Sequence, residues 1–230
     1  MMALSDRDQA RRVLAQAGWL GGQTPALAEA LLAQGRLVRL AAGQWAQAEG
    51  DEETGLLVVV EGAVQLYCQA PGDREVLVGH VEAGAALGQT MRFGGGPRIV
   101  TAIAVAPSLV LVVADTALER IGHGQPDIWR AVASLVYAQL RLTVRAGAEV
   151  VALPPRQRLA SRLRLLSRAT ERQGAVTLHL SQQALAELIG VTRKTVNICL
   201  AEFAWMGLVE LGYGRITVTD PRGLDRVAAS

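Results

Sequence analysis

The 230-residue sequence has two cysteines, three histidines and a single lysine. Cys68 and Cys199 lie far apart and form no ligand-like spacing, which argues against a zinc site or an iron–sulfur cluster. Both read as small core residues. Long apolar runs are missing as well. Leu56–Val60 and Leu109–Ala114 are among the longest, far short of the roughly 20 residues that a helical membrane span needs. The opening stretch, MMALSDRDQARR, is charged and has no signal-peptide core. These absences describe a cytoplasmic chain without a membrane partner. Gly94-Gly95-Gly96-Pro97-Arg98 could cradle a phosphate. It lacks the Lys-Ser/Thr of a P-loop, and no cluster of His, Cys or carboxylates stands near it in the sequence. The expectation is therefore no catalytic residue, no metal and no cofactor.

What is present suits two modest domains, each with its own core. Half of the residues are hydrophobic and 19% are charged, which places the chain outside the disordered class. The formal net charge of +2 is unevenly spread. Residues 1–122 hold 9 arginines against 13 acidic residues, whereas residues 123–230 hold 14 basic and 8 acidic ones. A basic C-terminal half is the footprint of a polyanion partner.

Residues 5–18 and 25–34 have helical patterns, the second with Pro25 as its first residue after Thr24. Short β-rich runs follow at Leu37–Leu40, Leu56–Val60, Ala63–Cys68, Glu75–Val81, Ile99–Val105 and Leu109–Val113. Glycine-bearing turns separate them, which predicts an antiparallel barrel or roll. The chain then turns helical. Residues 126–150 form its longest helical pattern, roughly 37 Å at ~1.5 Å per residue. One 4,3-spaced track runs through Ile128, Val132, Leu135, Gln139, Leu142, Ala146 and Glu149, an imperfect heptad seam. A second apolar track holds Trp129, Val136, Leu140 and Val150. Such a helix covers its own β-domain and something else, as a dimerisation helix or as a long intradomain one. After Pro154-Pro155 a helix begins at Arg156, with Leu159, Leu163 and Leu166 on its buried side and Gly174 ending it. Val176, Leu178 and Leu180 alternate as a short strand.

The run LSQQALAELIGVTRKTVNICLAEFAW, Leu180–Trp205, holds two short helical patterns that meet at Gly190. Ser181 can cap the first and Thr192 the second. Ala184, Leu185, Leu188 and Ile189 face inward on the first; Val196, Cys199, Leu200 and Phe203 do so on the second. Arg193, Lys194, Thr195 and Asn197 remain outside, side chains that suit phosphate oxygens and base edges. This predicts a helix-turn-helix that presents its second helix to the DNA major groove; an ordinary αα-hairpin shares the glycine and the stripes. Leu208–Leu211 and Arg215–Val218 form a hairpin around Gly212-Tyr213-Gly214, which makes the unit a winged helix-turn-helix with Arg215 on the wing.

The order of parts resembles the CRP/FNR family of bacterial transcription regulators. The resemblance covers nearly the whole chain. It rests on LLVVVEGAVQLY, on VEAGAALGQTMRFGGGPRIVTAIA and above all on LSQQALAELIGVTRKTVNICL. It implies an α+β fold: an antiparallel β-roll of cyclic-nucleotide-binding type as sensor over 1–122, a dimerisation helix over 123–152 and a winged helix-turn-helix over 153–230. It implies a homodimer on a palindromic operator in double-stranded DNA, with RNA polymerase and a small-molecule effector as further partners. Thr192, Arg193, Lys194, Thr195 and Asn197 would read DNA, with Gln182, Gln183 and Arg215 on its backbone. Gly88, Gln89, Arg98, Ile99 and Thr143 occupy the effector positions.

The departures are as informative. Cyclic-AMP-binding members use a Gly for a tight loop, a Glu for the ribose hydroxyl and an Arg followed by Ser/Thr for the phosphate. Gly88 and Arg98 match that pattern, whereas Gln89 and Ile99 do not. Gln89 brings no charge, and Ile99 cannot donate a hydrogen bond. Losing a donor to a charged group costs about 1.5–3 kcal/mol, more than tenfold in affinity, so cyclic AMP is not the expected effector. Ile99 could instead fill a vestigial pocket in a ligand-independent regulator, and Arg98 could serve an ion pair of the roll. Neither His80 nor Cys68 stands at a haem-ligand motif position. On the second helix Lys194 replaces the family's Glu and Ile198 its second Arg. Lys donates to guanine where Glu accepts from cytosine, so the half-site should differ from the family's usual one. An enzyme with an appended winged helix is the remote alternative.

Overall fold

A computed structural model describes residues 5–20, 25–168 and 175–230. Thr24 and Gly174, the expected helix start and stop signals, lie outside them. Two compact units follow one another, Met1–Leu142 and Thr143–Ser230. In the first, α1 (Asp6–Gln16) is capped by Ser5, whose Oγ accepts from the Asp8 amide at 3.2 Å. It lies beside α2 (Pro25–Gln34), and Arg11 on α1 pairs with Glu29 on α2. Eight strands come next: β1 (Arg36–Leu40), β2 (Trp45–Gln47), β3 (Gly55–Glu61), β4 (Ala63–Ala70), β5 (Arg74–Glu82), β6 (Ala86–Gln89), β7 (Thr101–Ala104) and β8 (Ser108–Ala114). They form two antiparallel four-stranded sheets, ordered β1-β8-β3-β6 and β2-β7-β4-β5.

The apolar runs of β3 and β8 have a simple origin. Successive side chains of a strand point to opposite faces, and here both faces are buried. Leu56, Val58 and Val60, with Leu109, Leu111 and Val113, pack under the helices. Leu57, Val59 and Val110 point into the space between the sheets, against Val64, Ala102 and Ala104. The continuous runs therefore serve two cores at once.

Two helices complete the unit, α3 (Asp115–Gly124) and the start of α4 (Asp127–Ala152). Ile128, Ala131, Val132 and Leu135 of α4 are buried in the helical core, and the Gln139 amide donates to the Ala86 carbonyl at 3.1 Å. The expected seam thus closes on its own roll in its first half. A different row is exposed along α4: Tyr137, Leu140 (53%), Val144 (63%), Gly147 and Val151.

The second unit holds the end of α4, then α5 (Pro155–Arg168), β9 (Val176–Leu178), α6 (Gln182–Ile189), α7 (Arg193–Trp205), β10 (Val209–Gly212), β11 (Arg215–Val218) and α8 (Pro221–Ala228). The sheet order is β10-β11-β9. Leu159 and Leu163 of α5, Leu185 of α6, Val196, Leu200 and Phe203 of α7, Ile216 and Val218 of β11 and Leu224 of α8 form its buried interior. Among the described residues no helix is long and apolar enough to cross a membrane.

The expected strand Ile99–Val105 is reduced to Thr101–Ala104, because Ile99 is drawn into a loop. β2, β6 and α8 stand where no element was expected.

Candidate nucleic-acid interface

The turn between α6 and α7 is held by three local devices. Ser181 Oγ accepts from the Ala184 amide at 3.1 Å and starts α6. Gly190 ends it at φ 67°, ψ 44°, a left-handed conformation that other residues adopt at a cost. Thr192 Oγ1 accepts from the Thr195 amide at 3.1 Å and starts α7. Val196, Cys199, Leu200 and Phe203 bury the inner face of α7. Burial, together with the nearby Glu202, raises the Cys199 thiol above its ordinary pKa, which keeps it protonated and inert. Arg193, Lys194 and Asn197 are exposed and make no hydrogen bond or ion pair among the described residues. Gln182 precedes them on α6, and Gln183 donates its amide to Glu187 at 2.8 Å. Arg215 starts β11 opposite Gly212 and lies across it; a Cβ on Gly212 would come within 2.6 Å of the Arg215 Nε.

Arg158 on α5 braces this unit. Its guanidinium donates to the Ile189 carbonyl at 2.6 Å, at the end of α6, and to the Val150 and Leu153 carbonyls at 3.0 Å, at the end of α4. One planar cation thus satisfies the carbonyl ends of two helices, where the helix dipole favours positive charge. Glu149 adds a second tie: it accepts from Ser161 Oγ at 2.6 Å and pairs with Arg145 at 2.9 Å.

The effector positions of the roll behave differently. Gln89 ends β6, and its Nε2 faces the carbonyls of Gly95, Gly96 (both 2.9 Å) and Pro97. Its Oε1 accepts from the Ile99 amide at 3.2 Å. The side-chain amide therefore closes the 95–99 loop on itself. Arg98 is 6% exposed and donates Nε to the Glu53 carbonyl at 3.0 Å and Nη1 to the Gly55 carbonyl at 3.1 Å. Burial lowers its pKa, against the opposing fields of Asp115, Asp51 and Glu53. The segment between is pinned too. Asp115 accepts from the Met91 amide at 3.0 Å and from the Thr54 hydroxyl. Arg92 pairs with Glu119 at 2.8 Å and lies 4.3 Å over the Trp129 ring, against which Phe93 stacks edge-on at 5.8 Å.

A roll before a capped helix-turn-helix and wing can be compared with known proteins. Residues 37–123 match the family model of the cyclic nucleotide-binding domain, and residues 157–227 match that of the Crp-like helix-turn-helix domain. The chain belongs to the CRP/FNR family of transcription regulators. A CRP/FNR relative described as the CRP-like cAMP-activated global transcriptional regulator of Mycobacterium tuberculosis is 29% identical over 220 residues, covering 94% of this chain and 98% of the relative. The nitrogen fixation regulation protein FixK of Bradyrhizobium diazoefficiens is 27% identical over 207 residues, covering 85% and 83%. The solved structure of FixK2 from Bradyrhizobium japonicum superposes with a TM-score of 0.76 at 19% identity, over 85% of this chain and 98% of that one, a likeness of fold.

Within this CRP/FNR chain the expected DNA-facing residues come together, five around the N-terminus of α7 and two at the start of α6, with Arg215 on the wing. The effector positions of the roll have local structural roles. Gly88 supports no tight loop: it lies in β6 opposite Leu56, and a Cβ there would approach Leu135 of α4 to 2.8 Å. A larger residue here would push the Leu135 side chain aside. Ile99 fills no pocket, being 68% exposed. Arg98 forms its bonds with backbone carbonyls rather than with an acidic side chain. Thr143 is exposed on α4 at the head of the second unit. Arg158 was not legible as a functional residue, since an arginine on a helix with many arginines carries no signal of its own.

Proposed function

We propose that this chain is a homodimeric, sequence-specific DNA-binding regulator that lays α7 in the major groove of a two-fold operator. The unengaged polar set on α7 carries this reading. Arg193, Lys194 and Asn197 have no side-chain partner to give up among the described residues, so docking them on bases breaks none of the bonds seen there. Thr192 and Thr195 reach phosphate or base, and Gln182, Gln183 and Arg215 hold the backbone. Lys194 selects guanine where a Glu would select cytosine. The exposed row Tyr137, Leu140, Val144, Gly147 and Val151 has 3,4 spacing, the pattern of a helix that pairs with a copy of itself. RNA polymerase is a further partner, the chain works in the cytoplasm, and its action is binding rather than catalysis.

The Mycobacterium tuberculosis relative is described as cAMP-activated. For this chain we assign a different input or none. A nucleotide would have to displace the carbonyls from Gln89 and Arg98, and it would meet no hydroxyl at Ile99. The closed loop favours a regulator whose roll needs no ligand to hold its shape.

The test is selection of bound sequences from a random DNA pool, with and without cell metabolites, together with calorimetry against cyclic AMP. The expected result is one palindromic consensus and no cyclic AMP binding at micromolar concentration. A pool that returns no consensus overturns the DNA-reading assignment, and a micromolar or tighter constant overturns the assignment of the roll.

A further inference from the structure

At 100° per residue along α7, the four buried side chains centre near Val196. The line opposite them runs through Lys194, Ile198, Ala201 and Trp205, at spacings of four, three and four. Ile198 is therefore on the outermost row of the helix, one turn beyond Lys194 and next to Asn197, and it is 62% exposed. A branched apolar side chain thus stands directly beside the arginine, lysine, threonine and asparagine of the first turns, at the point where the outer row turns to Ala201 and Trp205. It has neither donor nor acceptor.

We propose that Ile198 reads the 5-methyl group of a pyrimidine in each half-site, in thymine or in 5-methylcytosine. This rests on the reading that α7 enters the major groove. Ile198 is about 6 Å along the axis from Lys194, roughly two base-pair steps of ~3.4 Å. A pose that brings Lys194 and Asn197 to base edges brings Ile198 to one as well. The apolar feature of the major-groove edge is the C5-methyl group, carried by thymine and absent from guanine, adenine and unmodified cytosine. Burying a methyl against Ile198 removes apolar surface of both partners from water. The side chain thus specifies a chemical group rather than a hydrogen-bonding pattern.

The experiment uses the full-length protein and the operator from random-pool selection, with binding followed by fluorescence anisotropy. Deoxyuridine replaces thymidine at one symmetric pair of positions at a time. The loss of one methyl per half-site should cost about fourfold, or about fifteenfold for both, at a single pair of positions. Ile198→Ala should be insensitive to the same replacement. Placing cytosine at that pair should weaken wild-type binding, and 5-methylation of that cytosine should recover about fourfold per half-site. Ile198→Arg should move the preference there to guanine. If selection yields no operator, both this assignment and the DNA-reading proposal fall. If an operator is found but deoxyuridine costs nothing anywhere, or costs Ile198→Ala as much as the wild type, the methyl assignment alone falls. A deoxyuridine penalty without recovery by 5-methylcytosine also overturns it. The deoxyuridine arm needs no variant, so the outcome does not depend on how a substituted chain folds.

Discussion

The loop from Gln89 to Ile99 and the helix from Arg193 to Trp205 each carry polar side chains at positions where the sequence led us to expect binding. Their surroundings differ. In the roll, Gln89 faces three carbonyls and Arg98 holds two more. On α7, Arg193, Lys194 and Asn197 have no partner among the described residues. Long polar side chains thus serve the fold in one region and stay exposed in the other. Hydrogen-bond engagement, rather than residue type, separates the structural Arg98 from the unengaged Arg193. The helix α4 repeats the contrast on its two faces, with Leu135 inside the roll and Leu140 outside.

The largest expected effect tests that last pair. Leu140→Arg with Val144→Arg places like charges on the outward row and should give monomers in sedimentation. Operator affinity should then fall by about a hundredfold or more as bivalent binding is lost. Dimers of unchanged stability would move the self-association surface elsewhere. Leu135→Arg is not an equivalent test, since it would put a charge into the helical core and unfold the roll.

Next comes Arg98→Ala, which should lower roll stability by about 3 kcal/mol, because two backbone carbonyls lose a charged donor and a buried space opens. Urea unfolding reads this directly. Unchanged stability with altered ligand response would make Arg98 a binding residue and erase the contrast between the two regions.

Lys194→Ala should cost about 2 kcal/mol on the operator and little on random DNA, relaxing one symmetric pair of positions. Equal losses on both would mark it as a phosphate contact. The smallest effect is that of Arg215→Ala. All DNA should weaken alike, and the salt slope should fall by roughly one unit. A sequence-dependent loss would move the wing from the backbone to the bases.

The fold was readable wherever local rules are strong. The caps Ser181 and Thr192, the left-handed Gly190 and the alternation of the strands lie close together in the chain and act without distant partners. Elements with weak local signals were not readable. β2 has an exposed Trp45 and no alternation, and β6 is four residues long with a glycine in it. The signal for α8 is present, Asp220 before Pro221, but the helix spans only Pro221–Ala228. The exposed polar face of α7 was legible because an exposed helix face follows from helical periodicity alone.

By itself the sequence determined the long strands and most of the helices, where α7 starts and which of its faces is apolar. These depend on neighbours within about one turn or one pleat, which the order of residues specifies. Only the tertiary structure decided where Gln89 and Arg98 point and that Gly88 packs against Leu135. It also decided which apolar face of α4 remains open and that Arg158 joins two helix ends. Each of those depends on a backbone group brought close from elsewhere in the chain. Arg98 meets a carbonyl 45 residues away at Glu53, and Arg158 meets one 31 residues away at Ile189. The direction of a long polar side chain follows the unsatisfied carbonyl that folding brings within its reach.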